Sequence, residues 1–276
     1  MLLEFTKMHG CGNDYIYIDC FEGMPEHVED LARTLSRRHF SIGSDGLICV
    51  CKSDVADAAM RMFNADGSEG SMCGNGVRCV AQWLYERKLA GEQMTIETRA
   101  GIKTLQRVGE GIWQVEMGKA SFLPQEIPVL GLGDQPVLDM TVAVADMPWN
   151  ITCVSMGNPH CVTFVKDTAT LDLEKIGPSF EKHPAFPKQV NTEFIQIADE
   201  NHLIMRVWER GSGETLACGT GACASAAAAV ALGICKHDTD IKVDLLGGTL
   251  VICVEKDWNV RMTGPAQTVF NGVVHL

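Results

Sequence analysis

The chain matches itself at a fixed spacing. Cys73-Gly74-Asn75-Gly76 returns as Cys218-Gly219-Thr220-Gly221, and 218 minus 73 gives an offset of 145. The same offset carries Gly12-Asn13 onto Gly157-Asn158, Arg61 and Phe63 onto Arg206 and Trp208, and Glu69 onto Glu214. Three separated blocks keep one register without a gap, which chance matches of small residues do not do. A repeat of half-chain length predicts two halves of similar fold rather than a solenoid of short units. The length of 276 residues suits two domains of ordinary size.

Local patterning is also shared. Each half opens with β-type alternation ("YIYIDC", "NITCVSMG", "HCVTFV"), then a run "RMFN" or "LIMRVWE", a Gly-Ser-Glu loop, Cys-Gly-x-Gly and a helix. The predicted helices are "VRCVAQWLYERKLA" and "ACASAAAAVALGI", with Gly91 and Gly233 as their stops. The second is built of small apolar residues on every side, so it is expected to be buried all round. Strand-like runs then resume. The class is α+β, with two pseudo-symmetric lobes, each a mostly antiparallel curled sheet around a central helix. The last strand, "TVFNGVVHL", is not assigned to a lobe by pattern alone.

Composition narrows the function. Hydrophobic residues make up 46% and charged residues 21%, as in folded globular proteins. A net charge of −12 gives no counterion-release advantage at phosphates, so nucleic acid is not an expected partner. The N-terminus lacks a signal-peptide pattern, and the longest apolar run, Ala222 to Cys235, is too short to span a bilayer; a cytoplasmic protein without membrane association is expected. Twelve cysteines occur without a single C-x-x-C pair, so neither a structural metal nor a disulfide framework is expected. Most read as small buried hydrophobes.

Cys73 and Cys218 read differently. Each precedes a helix start, where unpaired N–H groups and the helix dipole favour a thiolate and lower its pKa below about 8.5. Glycines let the same N–H groups approach a carboxylate. Each motif therefore offers a proton acceptor beside an anion cradle. Two copies in pseudo-symmetric lobes suggest two thiols on opposite faces of one carbon, one taking a proton as the other gives one. A cysteine-rich metal or redox-binding protein without catalysis is the competing reading, and the absent C-x-x-C pairs speak against it.

"KMHGCGNDY", "FNADGSEGSMCGNGVRC", "VSMGNPHCV", "VNTEF", "ERGSGETLACGTGACA" and "MTGPA" occur in one order over nearly the full length. In these motifs the chain resembles the diaminopimelate epimerases, amino-acid epimerases of lysine and peptidoglycan biosynthesis. The resemblance implies no cofactor, pyridoxal phosphate included, a small amino-acid substrate, a homodimer, and return of the last strand to the first lobe. It gives lobes of 1–120 plus 264–276 and of 121–263. It implies that Cys73 and Cys218 are the acid–base thiols, and that Gly74, Asn75, Gly219 and Thr220 hold the reacting carboxylate. It gives Glu209 the ammonium and, with His160, the polar surround of the thiols. It places Asn13, Asn64, Asn158, Asn191 and Arg210 at the far end of the substrate. A fork-shaped guanidinium suits a carboxylate and asparagines serve both charges, so these roles fit a doubly zwitterionic ligand. A racemase or epimerase acting on histidine, proline or lanthionine is the related alternative. Cys11 stands where the family more often has an aliphatic residue and reads as a packing residue, and Ser41 opens "SIGSDG" where Gly is usual.

Overall fold

The computed structural model describes residues 2–276. It divides into two compact units, Met1–Val115 with Thr263–Leu276, and Glu116–Met262. Unit 1 contains β1 (Leu2–Gly10), β2 (Asn13–Cys20), α1 (Val28–Ser36), β3 (Gly46–Cys51), β4 (Ala58–Asn64), β5 (Glu69–Gly70), α2 (Gly74–Glu86), β6 (Gln93–Thr98) and β7 (Gly101–Gly109). The chain leaves it within β8 (Ile112–Lys119). Unit 2 contains β9 (Met140–Val144), β10 (Met147–Ser155), β11 (Pro159–Val165), α3 (Leu173–Glu181), β12 (Asn191–Asp199), β13 (His202–Glu209), β14 (Gly213–Thr215), α4 (Gly219–Ala231), β15 (Asp240–Leu245) and β16 (Gly248–Val254). The chain returns within β17 (Asn259–Pro265) and ends in β18 (Gln267–His275).

The duplication is written in the strand registers. Tyr15 pairs with Gly46 across the parallel strands β2 and β3, as His160 pairs with Asn191 across β11 and β12. Leu47 opposes Phe63 as Thr192 opposes Trp208, and Phe63 opposes Glu69 as Trp208 opposes Glu214. Every one of these pairs is related by 145. The connectivity agrees: β4 runs parallel to β6 as β13 runs parallel to β15. The first strand of each repeat also has a matching outer partner. β18, from the chain's end, lies against β1, where β9 lies against β10.

In each unit the strands surround one central helix. α4 is buried along nearly its whole length, because alanines at every turn let strands approach from all sides. α2 is amphipathic but nearly as buried, with Val77, Cys79, Val80, Ala81, Trp83 and Leu84 inside. The other sheet face carries a short outer helix that the sequence patterning did not single out. Val28, Ala32 and Leu35 of α1 recur at i, i+4 and i+7, and join Phe5, Ile16, Ile18, Leu47 and Phe63 in one core. In α3, Leu173 and Phe180 join Ile151, Phe194 and Trp208. Gly177 of α3 is fixed by that packing, since a Cβ there would lie 2.2 Å from the Trp208 ring.

Two details of the central helices differ from expectation. Both begin at the residue after the cysteine, so the Gly-x-Gly segments form the first helical turn rather than a turn before it. Gly233 does end α4 in a left-handed conformation at φ 72°, but the corresponding stop of α2 is Lys88 at φ 59°, not Gly91. Lys88 and Gly233 are again related by 145. The geometry of the stop was kept while the glycine suited to it was not.

Candidate active site

Cys73 and Cys218 are the N-cap residues of α2 and α4, both with extended backbone. The Cys73 Sγ accepts a hydrogen bond from the Gly76 N–H at 3.3 Å, and the Cys218 Sγ from the Gly221 N–H at 3.4 Å. Sulfur thus takes the place of the oxygen of a Ser or Asp cap. Each sulfur sits at the positive end of a 13-residue helix. The N–H groups of Gly74 and Asn75, and of Gly219 and Thr220, belong to the same first turns, which have no earlier carbonyls to bond.

In unit 1, Cys73 lies among amides. Its thiol donates to the Asn13 Oδ1 at 3.2 Å, and the Asn75 Nδ2 reaches the same oxygen at 3.5 Å. Asn75 is oriented by the buried Arg78, whose Nη2 donates to its Oδ1 at 2.9 Å and whose Nη1 holds the Gly74 carbonyl. Asn13 donates through Nδ2 to the Asp45 Oδ2 at 2.8 Å. Asn64, at the end of β4, bonds Ser68 within its own turn. Cys11 is buried at φ 53° between β1 and β2, and burial pushes its thiol up.

In unit 2, Cys218 lies among titratable groups. His160 is fully buried, with Nδ1 2.7 Å from the Glu193 Oε1 and Nε2 3.0 Å from the Asn158 Oδ1. Asn158 also meets the Thr220 hydroxyl at 3.3 Å, and that hydroxyl lies 3.6 Å from the Cys218 Sγ. Glu209 accepts from the Thr215 hydroxyl and is hydrogen-bonded to Cys218. Burial raises the Glu209 carboxyl; the Thr215 and Cys218 bonds oppose this, and Glu193 adds to it. Asn191 and Arg210 adjoin, the Asn191 Oδ1 accepting from the Arg210 backbone N–H at 3.0 Å. The Arg210 guanidinium is at the surface and donates to the Lys188 carbonyl.

The expectation of a lowered thiol pKa fails for Cys218. Burial, then the charges of Glu209 and Glu193, push it well above its ordinary value, and the Thr220 and Gly221 bonds do not compensate. The helix start is there, but two carboxylates in a dry site outweigh a partial dipole charge.

Glu193 was not among the expected site residues. It is fully buried, its Oε1 is bound to His160, and its Oε2 has no hydrogen-bond partner. The signal was present in "VNTEF": residues two apart on a strand share a face, so Asn191 and Glu193 project together from β12. A carboxylate in the buried half of a strand is costly unless it serves the site beside it.

Among the described residues no group of three or more His, Cys, Asp or Glu is placed to hold a metal ion, and no helix is long and apolar enough to cross a membrane. None of the cysteines is joined in a disulfide.

Solved structures of similar fold include a phenazine biosynthesis protein of the PhzF family from Bacillus anthracis (TM-score 0.73, 21% identity, all of both chains covered). A hydroxyproline epimerase from Agrobacterium vitis aligns with TM-score 0.71 and 16% identity over 100% of this chain and 93% of that one. At such identities the likeness is one of fold. Sequence relatives go further. A diaminopimelate epimerase from Methanococcus maripaludis is 48% identical over 280 residues, covering 99% of this chain and 100% of its own. One from Acetivibrio thermocellus is 48% identical over 285 residues, covering 99% of each. The diaminopimelate epimerase family model matches residues 5–123 and 152–269, which include both cysteine caps and the Asn158, His160, Glu193 and Glu209 surround. With the repeat, the two caps and this match in agreement, the chain belongs to the diaminopimelate epimerase family.

Proposed function

We propose that this chain inverts one α-carbon of diaminopimelate, interconverting the LL and meso isomers, with Cys73 and Cys218 as the two acid–base groups and without pyridoxal phosphate. The observation that carries this reading is the doubled cap: two cysteine sulfurs, 145 residues apart in sequence, each held at the start of a buried helix by the N–H three residues on. A single cap of this kind is a structural detail, whereas a duplicated one supplies the two proton-transfer groups that inversion needs.

One thiolate removes the Cα proton while the other thiol delivers a proton to the opposite face, so both groups must reach the same carbon. Protons balance, and the two sulfurs exchange states with each turnover. Cα of an amino acid is a weak acid, and charge builds on its carboxylate as the proton leaves. The N–H groups of Gly74, Asn75, Gly219 and Thr220 receive it in this reading, and donors of this kind contribute about 3 kcal/mol each in a water-excluded site. Glu209 takes the reacting ammonium, and His160, held between Glu193 and Asn158, completes the surround of Cys218. Asn13, Asn64, Asn158, Asn191 and Arg210 serve the distal amino-acid end. A shorter amino acid would leave these polar groups unpaired, which gives selectivity. The protein works as a homodimer in the cytoplasm, supplying lysine and peptidoglycan precursor synthesis.

The test is incubation with LL-diaminopimelate in deuterium oxide without pyridoxal phosphate, following stereochemistry and deuterium at Cα together. The expected outcome is meso product carrying solvent deuterium at the inverted carbon, with turnover reduced at least about 1,000-fold in both Cys73→Ala and Cys218→Ala. Turnover of proline, histidine or lanthionine in its place would transfer the reading to the related alternative. Full activity in either variant would end the two-thiol mechanism.

A further inference from the structure

We propose that Asp45 is a positioning residue for Cys73, acting through Asn13: it fixes the Asn13 amide so that its carbonyl, and not its NH2, meets the sulfur. The carbonyl raises the pH at which the Cys73 thiol ionises. The proposal rests on the reading of Cys73 as an acid–base group and adds a residue to which that reading gives no role.

The geometry leaves little choice of orientation. An amide is ambiguous by shape, but a carboxylate only accepts. The Asp45 Oδ2 lies 2.8 Å from one end of the Asn13 amide, so that end is Nδ2 and the other, 3.2 Å from the Cys73 Sγ, is Oδ1. The Asn75 Nδ2 at 3.5 Å agrees but is at the limit of a hydrogen bond; the shorter, charge-assisted Asp45 contact dominates.

Asp45 is itself fixed. It lies in "SIGSDG", the connection from α1 to β3, to which the functional reading assigned nothing. Its N–H donates to the Asp14 carbonyl at 2.8 Å, and its carbonyl accepts from the Ala65 N–H at 3.0 Å. Its Oδ2 also accepts from the Asp14 N–H at 3.1 Å, and its Oδ1 takes the Arg38 Nη2 at 3.0 Å. Gly46 follows because a Cβ there would lie 2.1 Å from the Phe63 carbonyl oxygen, so the connection enters β3 in one way only. Arg38 and Lys7 also bind Asp14, at 2.6 and 2.5 Å, so Asp45 belongs to an anchored ionic cluster.

Tyr17 on β2 and Cys79 on α2 are titratable groups that feel Cys73. Burial pushes Tyr17 well above its usual range and Cys79 up to about 12, so both are neutral near pH 7. The sulfur accepts from the Gly76 N–H and meets the Asn13 carbonyl. An acceptor stabilises S–H and opposes S⁻. Position 190, the counterpart of 45, is valine, so unit 2 has no equivalent clamp.

The experiment is the pH dependence of Cys73 alkylation by iodoacetamide, resolved from the other cysteines by peptide mass mapping, with circular dichroism to verify folding. In Asp45→Ala the amide is released and the midpoint falls by about half a unit to one unit. Asp45→Asn still offers Asn13 an oxygen, so its midpoint stays near that of the unaltered protein. In an Asn13→Ala background, Asp45→Ala adds nothing. Equal shifts in Asp45→Ala and Asp45→Asn, a shift that persists without Asn13, or no shift at all would each overturn the proposal. Should Asp45→Ala fail to fold, Asn13→Ala alone decides: its midpoint falls, and an unchanged one refutes the role. Thiol titration needs no turnover, so this outcome is separable from whether diaminopimelate is the substrate.

Discussion

Around Cys73 and Cys218 one backbone arrangement carries two different chemistries. The caps, the first helical turns and the strand registers coincide, yet the residues at three matched strand positions do not. Tyr15, Ile48 and Asn64 of unit 1 stand where unit 2 has His160, Glu193 and Glu209. One thiol is set by amides, the other by a buried imidazole and two carboxylates. Two-base inversion needs one sulfur protonated while the other is ionised, with the two exchanging states at each turnover, and the two surrounds make the proton affinities of the sulfurs unequal. The comparison teaches that duplication supplied the scaffold and its helix-start anion cradles, and that three strand positions then set the proton chemistry.

The largest break in the comparison is expected at matched glycines. A Cβ on Gly221 would sit 2.6 Å from the Glu193 Oε1 and 3.2 Å from the Cys218 Sγ. Glu193 is buried and tied to His160, so it has nowhere to move. A Cβ on Gly76 would meet the Ile48 Cδ1 at 2.8 Å, the terminal methyl of a buried side chain that is tied by no hydrogen bond. Gly221→Ala should therefore lower kcat about 100-fold or more and Gly76→Ala about tenfold or less, measured as epimerisation with both variants folded. Equal losses would mean that tightness at the cap matters and the carboxylate behind it does not.

A middle-sized effect concerns charge. Cys218 is pushed up first by burial, then by Glu209 and Glu193. The thiol therefore keeps its proton at neutral pH, and kcat/KM in the direction that uses Cys218 as the base should rise with pH. Glu209 is hydrogen-bonded to Cys218, and its charge is among the causes of that elevation. Glu209→Gln removes that charge, so the alkylation midpoint of Cys218 should fall by about one unit. The converse change, Asn64→Asp at the matched position of unit 1, should raise the Cys73 midpoint. An unmoved Cys218 would put its elevation on burial alone and weaken the contrast between the two surrounds.

Much of this was legible in the sequence, for a physical reason. A duplication keeps side-chain spacing, so the offset of 145 displayed two units, two caps and the match of Arg61 to Arg206 and of Glu69 to Glu214, but not the ion pairs these residues make. Asn158 and Glu209 stood on the repeat offset, and the roles of His160 and Glu209 entered through the resemblance to the family. Glu193 was passed over because it sits between Thr192 and Phe194 in a run read for its asparagine; its meaning comes from the strand face it shares with Asn191 and from the His160 ring alongside. Asp45 was hidden more deeply. Nothing in "SIGSDG" refers to Cys73, and only the fold brings a connecting loop against Asn13. The stop at Lys88 was misread because sequence favours glycine there, while an exposed lysine takes the same left-handed shape, with the Leu89 N–H donating back to the Leu84 carbonyl at 3.0 Å.

The smallest expected difference lies at the duplicated ion pair, away from both sulfurs. The Arg206 Nε meets the Glu214 Oε1 at 2.7 Å, with side chains 17% and 20% exposed, and its Nη1 donates to the Thr168 and Leu171 carbonyls ahead of α3. Arg61 bonds Glu69 with its own side chain 38% exposed, and Glu69 is also held by the surface residue Arg99. Breaking the enclosed pair leaves a half-buried carboxylate and two carbonyls without a donor, whereas breaking the open one leaves Glu69 a second arginine and water. Arg206→Gln should cost about 2 kcal/mol and Arg61→Gln about 0.5 kcal/mol, read as thermal shifts of roughly 4–6 °C and 1–2 °C. Raising the salt concentration should shrink the Arg61 effect more than the Arg206 effect, because exposed charges are screened and enclosed ones are not. If both variants melt alike and respond alike to salt, the tether from Arg206 to the α3 connection contributes nothing, and the two units differ in their sulfur environments but not in how the repeat is braced.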